Sequence, residues 1–262
     1  VLKVGGSILT DRRHYCTLDP DSLRRVAAAL AAWLPAAPCS VVLILGGGSF
    51  GHNVVLEHEV RFDGRHGRPT ELFELTARLF DLKIAVVREL AARGVTAMPL
   101  QETAVFLRRL DGSLALSGPV ALTRCFESGW LPVLTGGLLP DEESRSFVPV
   151  SSDRLALPLA DRFPVWRCVM LTDRPGLCDP EAMECPPMRR VRRDRHPEAL
   201  NLLGASSKAD VTGAMGGKLR ALLELAAAGV ESVIGDGRGL DATVLASYFG
   251  EDPPGTFIEA CS

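Results

Sequence analysis

The sequence predicts an α/β protein, a three-layer αβα sandwich on a mainly parallel central sheet. Short apolar runs rich in Val, Ile and Leu alternate along the chain with longer stretches of helical spacing. Several of these runs stop abruptly at paired or tripled glycines. Strands that alternate with helices return by crossover connections, which make neighbouring strands parallel and put helices on the faces of the sheet.

In chain order, Val1-Leu2-Lys3-Val4 reads as a short strand broken by Gly5-Gly6-Ser7, and Asp19 to Trp33 carries helical spacing. Ser40 to Leu45 is a continuous apolar run suited to a central parallel strand, and it ends at Gly46-Gly47-Gly48 before another helical stretch. Leu72 to Arg93 predicts a long amphipathic helix closed by Gly94, followed by strands at Val95 to Leu100 and Leu131 to Leu134, the latter ending at Gly136-Gly137. Ser151-Ser152-Asp153 has the composition of a helix start. Arg167 to Leu171 is a strand with Thr172-Asp173 at its end. Gly217 to Ala228 is a helix closed by Gly229, and Ser232 to Ile234 is expected as the last buried strand.

The 262 residues carry 29 Lys+Arg against 32 Asp+Glu, a formal net charge of −3, which excludes a generally basic nucleic-acid binder. At 47% hydrophobic residues the chain can bury a large core. Its seven cysteines are odd in number and show neither a C-x-x-C pair nor zinc spacing with the five histidines, so reduced thiols in the cytoplasm are expected. No apolar run approaches the roughly 20 residues of a membrane helix, and the first residues enter a strand pattern, so neither span nor leader is expected. Val60 to Thr70 and the arginine-rich Cys185 to Pro197 read as loops or hairpins. Without interleaved aromatics, the second reads as solvated chain and not as a nucleic-acid patch.

The glycine clusters share a position. Open α/β sheets bind ligands beyond the carboxyl ends of their strands, and Gly5-Gly6, Gly46-Gly47-Gly48 and Gly136-Gly137 all follow strands. Glycine lets backbone N–H groups approach an anion, and a helix N-terminus behind it adds about half a positive charge. Neither G-x-x-x-x-G-K-[ST] nor G-x-G-x-x-G is present at Gly46 to Gly51. Lys3, Arg12, Arg13 and Lys218, the last directly after Gly216-Gly217, add cations that suit a transferring phosphoryl group.

Through Lys3-Val4-Gly5-Gly6-Ser7, Gly46-Gly47-Gly48-Ser49-Phe50-Gly51-His52, Ser151-Ser152-Asp153, Leu171 to Gly176 and Asp210 to Lys218, the chain resembles the amino-acid-kinase superfamily. Gly-Ser-Phe-Gly-His is similar to the isopentenyl phosphate kinase and fosfomycin kinase branch, whose members phosphorylate a phosphate or phosphonate oxygen. Pro99-Leu100-Gln101, Ser151 to Arg154 and Thr212 to Met215 look more like the fosfomycin kinases. Two departures stand out. Arg12 replaces a second lysine, and Gly136-Gly137 replaces the Gly-Asp usual in isopentenyl phosphate kinases, which weighs against an isoprenoid acceptor.

The resemblance implies one amino-acid-kinase domain over residues 1–262, with an acceptor lobe near 1–150 and a nucleotide lobe near 151–262. It implies ATP with Mg2+ as cofactors, a small phosphate or phosphonate acceptor, no nucleic-acid or membrane partner, and a homodimer. Lys3, Lys218 and Arg12 would neutralise charge, Asp153 would order the two lysines, and His52 would donate a hydrogen bond to the acceptor. Gly5, Gly6, Ser7, Thr172, Asp173, Gly176, Asp210, Thr212, Gly213, Met215 and Gly216 would surround the nucleotide. Gly46, Gly47, Gly48, Gly51, Gly136, Gly137 and Ser151 would surround the acceptor. No protein ligand is assigned to magnesium, which phosphate oxygens and water commonly hold.

A phosphate acceptor already ionised at neutral pH needs no general base, so a histidine that steers and neutralises suffices. Phe73, Leu75, Thr76, Phe80, Ile84 and Val87 could face either the core or a pocket. An apolar wall there would favour isopentenyl phosphate, and a small polar one a phosphonate. The alternatives are a carboxylate kinase of the same superfamily, against which His52 argues, and a non-catalytic nucleotide-binding regulator, against which Lys3, Asp153 and Lys218 argue together.

Overall fold

The computed structural model describes residues 1–57, 69–177, 188–196 and 214–261. The chain opens with β1 (Leu2–Val4), the short helix α1 (Gly6–Leu9) and α2 (Pro20–Trp33), then β2 (Leu43–Leu45), α3 (Gly48–Glu57) and α4 (Pro69–Ala91). There follow β3 (Ala97–Pro99), α5 (Glu102–Val105), β4 (Phe106–Arg108), β5 (Leu114–Leu116) and α6 (Pro119–Glu127). Next are β6 (Leu131–Thr135), β7 (Gly137–Asp141), β8 (Ser146–Val150), a 3-10 turn at Ser152–Arg154 and α7 (Ala156–Ala160). The last described elements are β9 (Arg167–Thr172), β10 (Arg190–Val191), α8 (Ala214–Ala227), β11 (Glu231–Asp236), α9 (Ala242–Ser247) and β12 (Thr256–Ile258).

Eight strands form the main sheet in the order β10-β12-β11-β9-β1-β2-β6-β3. From β11 to β3 every pairing is parallel, while β12 runs antiparallel to β11. Strand alternation sends Leu2, Val4, Leu43, Leu45, Val169 and Leu171 into one core with Val26 and Leu30 of α2 and Leu82, Val86 and Leu90 of α4. The intervening Cys168, Met170 and Ile44 enter cores on the other face, beneath Leu219 and Leu222 of α8 or beside Leu139 and Val148 of the β7–β8 hairpin. Helices therefore cover both faces, as the apolar runs require. Lys3 takes the inward place between Leu2 and Val4 and stays 3% exposed.

Several boundaries and elements differ from the expectation. The helix expected from Gly217 begins at Ala214, so Gly216-Gly217 lie within its first turn. Ser152–Arg154 is a 3-10 turn capped by Ser151, whose side chain accepts from the Asp153 amide. The strand at Ser232 to Ile234 is not the last, because β12 pairs antiparallel to it. Part of the arginine-rich segment is an edge strand, with Arg190 and Val191 pairing parallel to Phe257 and Ile258. A second sheet, β5-β4-β7-β8, was not anticipated. Pro140 and Pro149 lie in β7 and β8, two paired strands of that sheet, and proline lowers the strand signal of a sequence. Among the described residues, no helix is long and apolar enough to cross a membrane.

Because β1 and β2 are adjacent, the loops that leave them meet backbone to backbone. A Cβ at Gly6 would lie 2.1 Å from the Gly48 nitrogen, and one at Gly46 would lie 2.4 Å from the Gly6 nitrogen. Gly48 also adopts φ +51, where a side chain is strained. Gly6→Ala should therefore cost about 3 kcal/mol by forcing the loops apart. A urea midpoint lowered without a change in slope would report this, and wild-type stability would refute the close packing.

Candidate active site

Beyond the carboxyl ends of β1, β2 and β6 lies a cavity of about 460 Å³. The topology decides its lining: the loop after β1 contributes Gly5, Gly6, Ser7 and Arg12, the loop after β2 contributes Gly46, Gly47 and Gly48, and the loop after β6 contributes Gly136 and Gly137. Gly51 and His52 enter from the first turns of α3, whose N-terminus begins at Gly48. His52 stands four residues after Gly48, about one helical turn along, so its imidazole follows the glycines on one side of the helix.

A polar ladder holds the first two loops in register. Thr10 Oγ1 donates to the Gly6 carbonyl at 2.7 Å and accepts from the Ser49 amide at 2.9 Å. Ser49 Oγ accepts from the Thr17 amide at 3.0 Å and donates to the Thr17 carbonyl at 3.1 Å. Asn53, next to His52, donates to the His14 carbonyl at 3.2 Å and so ties down the segment carrying Arg12. Arg13 is turned away, paired with Asp11 at 2.8 Å.

Three charged groups meet at the cavity floor. Lys3 Nζ contacts Asp153 Oδ1 at 2.5 Å, and Lys218 Nζ lies 3.6 Å from Asp153 Oδ2, with side-chain exposures of 4%, 13% and 14% for Lys3, Asp153 and Lys218. Burial works to raise the Asp153 carboxyl, but the attraction of Lys3 and Lys218 prevails and holds it below its ordinary range. Burial and then the like charge of Lys3 push the Lys218 ammonium down, with Asp153 opposing. Two ammonium groups around one carboxylate leave a net positive charge in a low-dielectric cleft lined by backbone amides. That arrangement attracts a polyanion.

Part of the wall is greasy. Val55 of α3, Leu75 and Leu79 of α4, and Pro149 and Val150 of β8 line it. It touches the glycines directly, since a Cβ on Gly47 would lie 3.0 Å from Leu79 Cδ2. Of the α4 residues left open by periodicity, Leu75 faces the cavity and Val87 packs toward the main core, whereas Phe73 is 69% and Phe80 40% exposed. Leu79, Val55, Pro149, Val150 and Ser152 were not anticipated as lining residues. The i, i+4 spacing of Leu75 and Leu79 was a usable signal, while the two β8 residues depend on the unforeseen hairpin.

The remaining expected residues divide. Ser151 joins the cavity beside Asp153. Thr172 ends β9 and Asp173 and Gly176 follow it, at the same edge of the sheet as the glycine loops but outside this lining, and Thr172 Oγ1 caps its own turn by accepting from the Arg174 amide at 3.1 Å. Gly216 lies in the first turn of α8, and Met215 packs against the core of that helix. Asp210, Thr212 and Gly213 lie outside the described residues, as do Val60 to Arg68 and Cys185 to Pro187 and Pro197 of the two expected loops.

Residues 1–236 match the model of the Amino acid kinase family. This chain belongs to the amino acid kinase family. Within it, the chain is 30% identical over 265 residues to the isopentenyl phosphate kinase of Methanothermobacter thermautotrophicus, covering 98% of each chain. It is 33% identical over 259 residues to the isopentenyl phosphate kinase of Haloferax volcanii, covering 98% of this chain and 97% of the relative. Among solved structures, an isopentenyl phosphate kinase aligns with TM-score 0.78 at 25% identity over 98% of each chain. A product complex of the Thermoplasma acidophilum isopentenyl phosphate kinase shares the fold with TM-score 0.74 at 20% identity over 98% of each chain.

The amides around Gly5 and Gly6 and the Lys3 and Lys218 ammonium groups line one cavity, a donor set whose chemistry suits phosphate oxygens. Magnesium does not find a preformed cage in this wall. Asp153 is the one carboxylate among the cavity-lining residues described, and both its oxygens face ammonium groups, so it is not available to hold the ion.

Asp153→Asn leaves Lys3 and Lys218 facing each other without their counter-charge, and the variant should lose about 3 kcal/mol at pH 7. The folded-state carboxyl is depressed, so its contribution is complete above the unfolded value near 3.9 and disappears as pH falls through the lower folded value. The stability gap between the two proteins should accordingly narrow below about pH 4. Chemical denaturation across pH checks this, and a gap independent of pH would refute the charge assignment.

Proposed function

We propose that this chain transfers the γ-phosphate of ATP to the phosphate oxygen of a short alkenyl monophosphate, isopentenyl phosphate in the first instance, giving a diphosphate and ADP. The carrying observation is the apolar wall of Val55, Leu75, Leu79, Pro149 and Val150 placed against the glycine cradle and His52. A charged head fits the amides while a hydrocarbon tail fits the wall. The names of the relatives from Methanothermobacter and Haloferax support the same acceptor. A compact polar phosphonate such as fosfomycin would leave that wall in contact with water, which costs roughly 25 cal/mol per Å² of apolar surface left uncovered.

In this reading Lys3 and Lys218 hold the β- and γ-phosphates from below, with Asp153 between them fixing both ammonium groups. The Gly47, Gly48 and Gly137 amides, His52 and Arg12 hold the acceptor phosphate above. An acceptor lone pair forms the new P–O bond as the bond from the γ-phosphorus to the ADP oxygen breaks, and the leaving electrons stay on ADP. A phosphate monoester has its second pKa near about 6, so the attacking oxygen carries no proton at neutral pH. The protein's task is to bring two anions together in line, and the converging cations and amides offset their repulsion. When bound, magnesium would supply further neutralisation on the phosphate oxygens.

A panel of isopentenyl phosphate, fosfomycin, small phosphonates, glutamate and acetylglutamate tests the acceptor. Isopentenyl phosphate should give the highest kcat/KM, and preference for fosfomycin or for a carboxylate would sink the proposal. His52→Ala should lower kcat by about 100-fold. Leu79→Ser should raise the isopentenyl phosphate KM about ten-fold while leaving the ATP KM in place, as expected for one lost apolar contact.

A further inference from the structure

Lys83 and Glu102 form an ion pair at 2.7 Å with side-chain exposures of 1% and 4%, and the mechanism above uses neither. A pair so buried is a poor stabilising device, because the desolvation of both charges offsets most of their attraction and a packed apolar pair would serve the fold as well. What its atoms hold is specific. Lys83 Nζ also donates to the Leu100 carbonyl. Glu102 Oε1 accepts from the Thr135 amide at 2.5 Å and from Thr135 Oγ1 at 3.2 Å, and Thr135 immediately precedes Gly136-Gly137. On the far side of those glycines, Thr103 Oγ1 donates to the Leu138 carbonyl at 2.8 Å. One turn of helix, α5, thus grips the third glycine loop before and after its glycines. A Cβ on Gly137 would lie 3.7 Å from Glu102 Oε2, so the carboxylate stands directly behind the cradle.

We propose that Glu102, oriented by Lys83, is a positioning residue for the acceptor: it fixes Thr135, and through it the Gly136-Gly137 peptides, at the separation from His52 that the acceptor phosphate requires. Lys83 sits one turn beyond Leu79 on α4, so the same pair links the apolar wall to the glycine loop. A carboxylate is the suitable acceptor, since a charge-assisted hydrogen bond is about twice as strong as a neutral one. The cluster assigned to the nucleotide is carried by β1, the Ser152–Arg154 turn and α8, so the effect should fall on the acceptor.

This inference rests on the reading of Gly136-Gly137 as part of an acceptor cradle, and its test separates the two. Lys83→Met with Glu102→Gln leaves no charge at this buried pair and keeps a weaker acceptor for the Thr135 amide. Lys83→Met with Glu102→Leu removes that acceptor as well. With isopentenyl phosphate as the probe, the first double variant should raise the acceptor KM about ten-fold and the second more, while the ATP KM stays within about two-fold. Amide exchange of residues 133–138 should accelerate in the same order, with that of β9 unchanged. A wild-type acceptor KM, or wild-type exchange at 133–138, in the folded Met/Gln variant overturns the proposal. Should the Met/Leu variant not fold, the Met/Gln variant decides alone. If wild-type protein leaves isopentenyl phosphate unphosphorylated, the functional reading fails, and the exchange comparison decides on the positioning role by itself.

Discussion

The Lys3–Asp153–Lys218 cluster is the interaction on which the rest depends, because it concentrates positive charge where a parallel sheet ends. Its members come from β1, from the turn after β8 and from α8, so the cluster exists only when strands from the two ends of the sequence lie side by side. Asp153 has two effects that oppose each other in sign. It aims both ammonium groups, yet it cancels one of the two charges. The surplus is one positive charge in a cleft where screening is weak, enough to favour a polyanion without making the empty site prohibitively repulsive.

Backbone contact supplies the second constraint. The amides of the first two glycine loops can face one cavity only because Gly6, Gly46 and Gly48 touch without side chains between them. The ladder from Gly6 through Thr10 and Ser49 to Thr17 then fixes that contact with hydrogen bonds at both ends. Such a cradle needs little reorganisation when phosphate arrives, which is how fixed dipoles stabilise charge more effectively than water does.

Most of the main sheet was legible because its strands are short runs apolar on both faces and their glycine stops are abrupt. Lys3 and Lys218 were legible because they adjoin paired glycines, and His52 and Asp153 through the motifs that resemble amino acid kinases. The small sheet was not, since three-residue strands such as β4 and β5 give periodicity too few positions to register and Pro140 and Pro149 argue locally against strand. Val150 was hidden for the same reason. Lys83 and Glu102 were hidden for another: a charged residue on an amphipathic helix reads as solvent-facing, and only tertiary pairing across 19 positions reverses that reading. The substitution of Gly137 for an aspartate, which weighed against an isoprenoid acceptor, also looks different in three dimensions. An aspartate there would set a second carboxylate against Glu102 Oε2, so the glycine is as well explained by its neighbour as by its substrate.

The acceptor question therefore turns on α4 and not on the motifs that drew the comparison with fosfomycin kinases. Of those motifs, Ser151 to Asp153 stand beside the Lys3 and Lys218 ammonium groups, where a phosphate and a phosphonate present nearly the same oxygens, and Pro99-Leu100-Gln101 is outside the cavity lining, so neither carries much information about the organic group. Leu75 and Leu79 line the same cavity as Gly47 and His52, and in the proposed reading they would take the organic group once the phosphorus is seated on those two residues. Leu82, Val86 and Leu90 of the same helix pack into the core, which prevents the helix from rolling those leucines away to expose a polar face. The orientation of these apolar residues is thus fixed by the fold's own packing, and in the proposed reading a polar acceptor would have to be recognised by a wall that cannot turn to meet it.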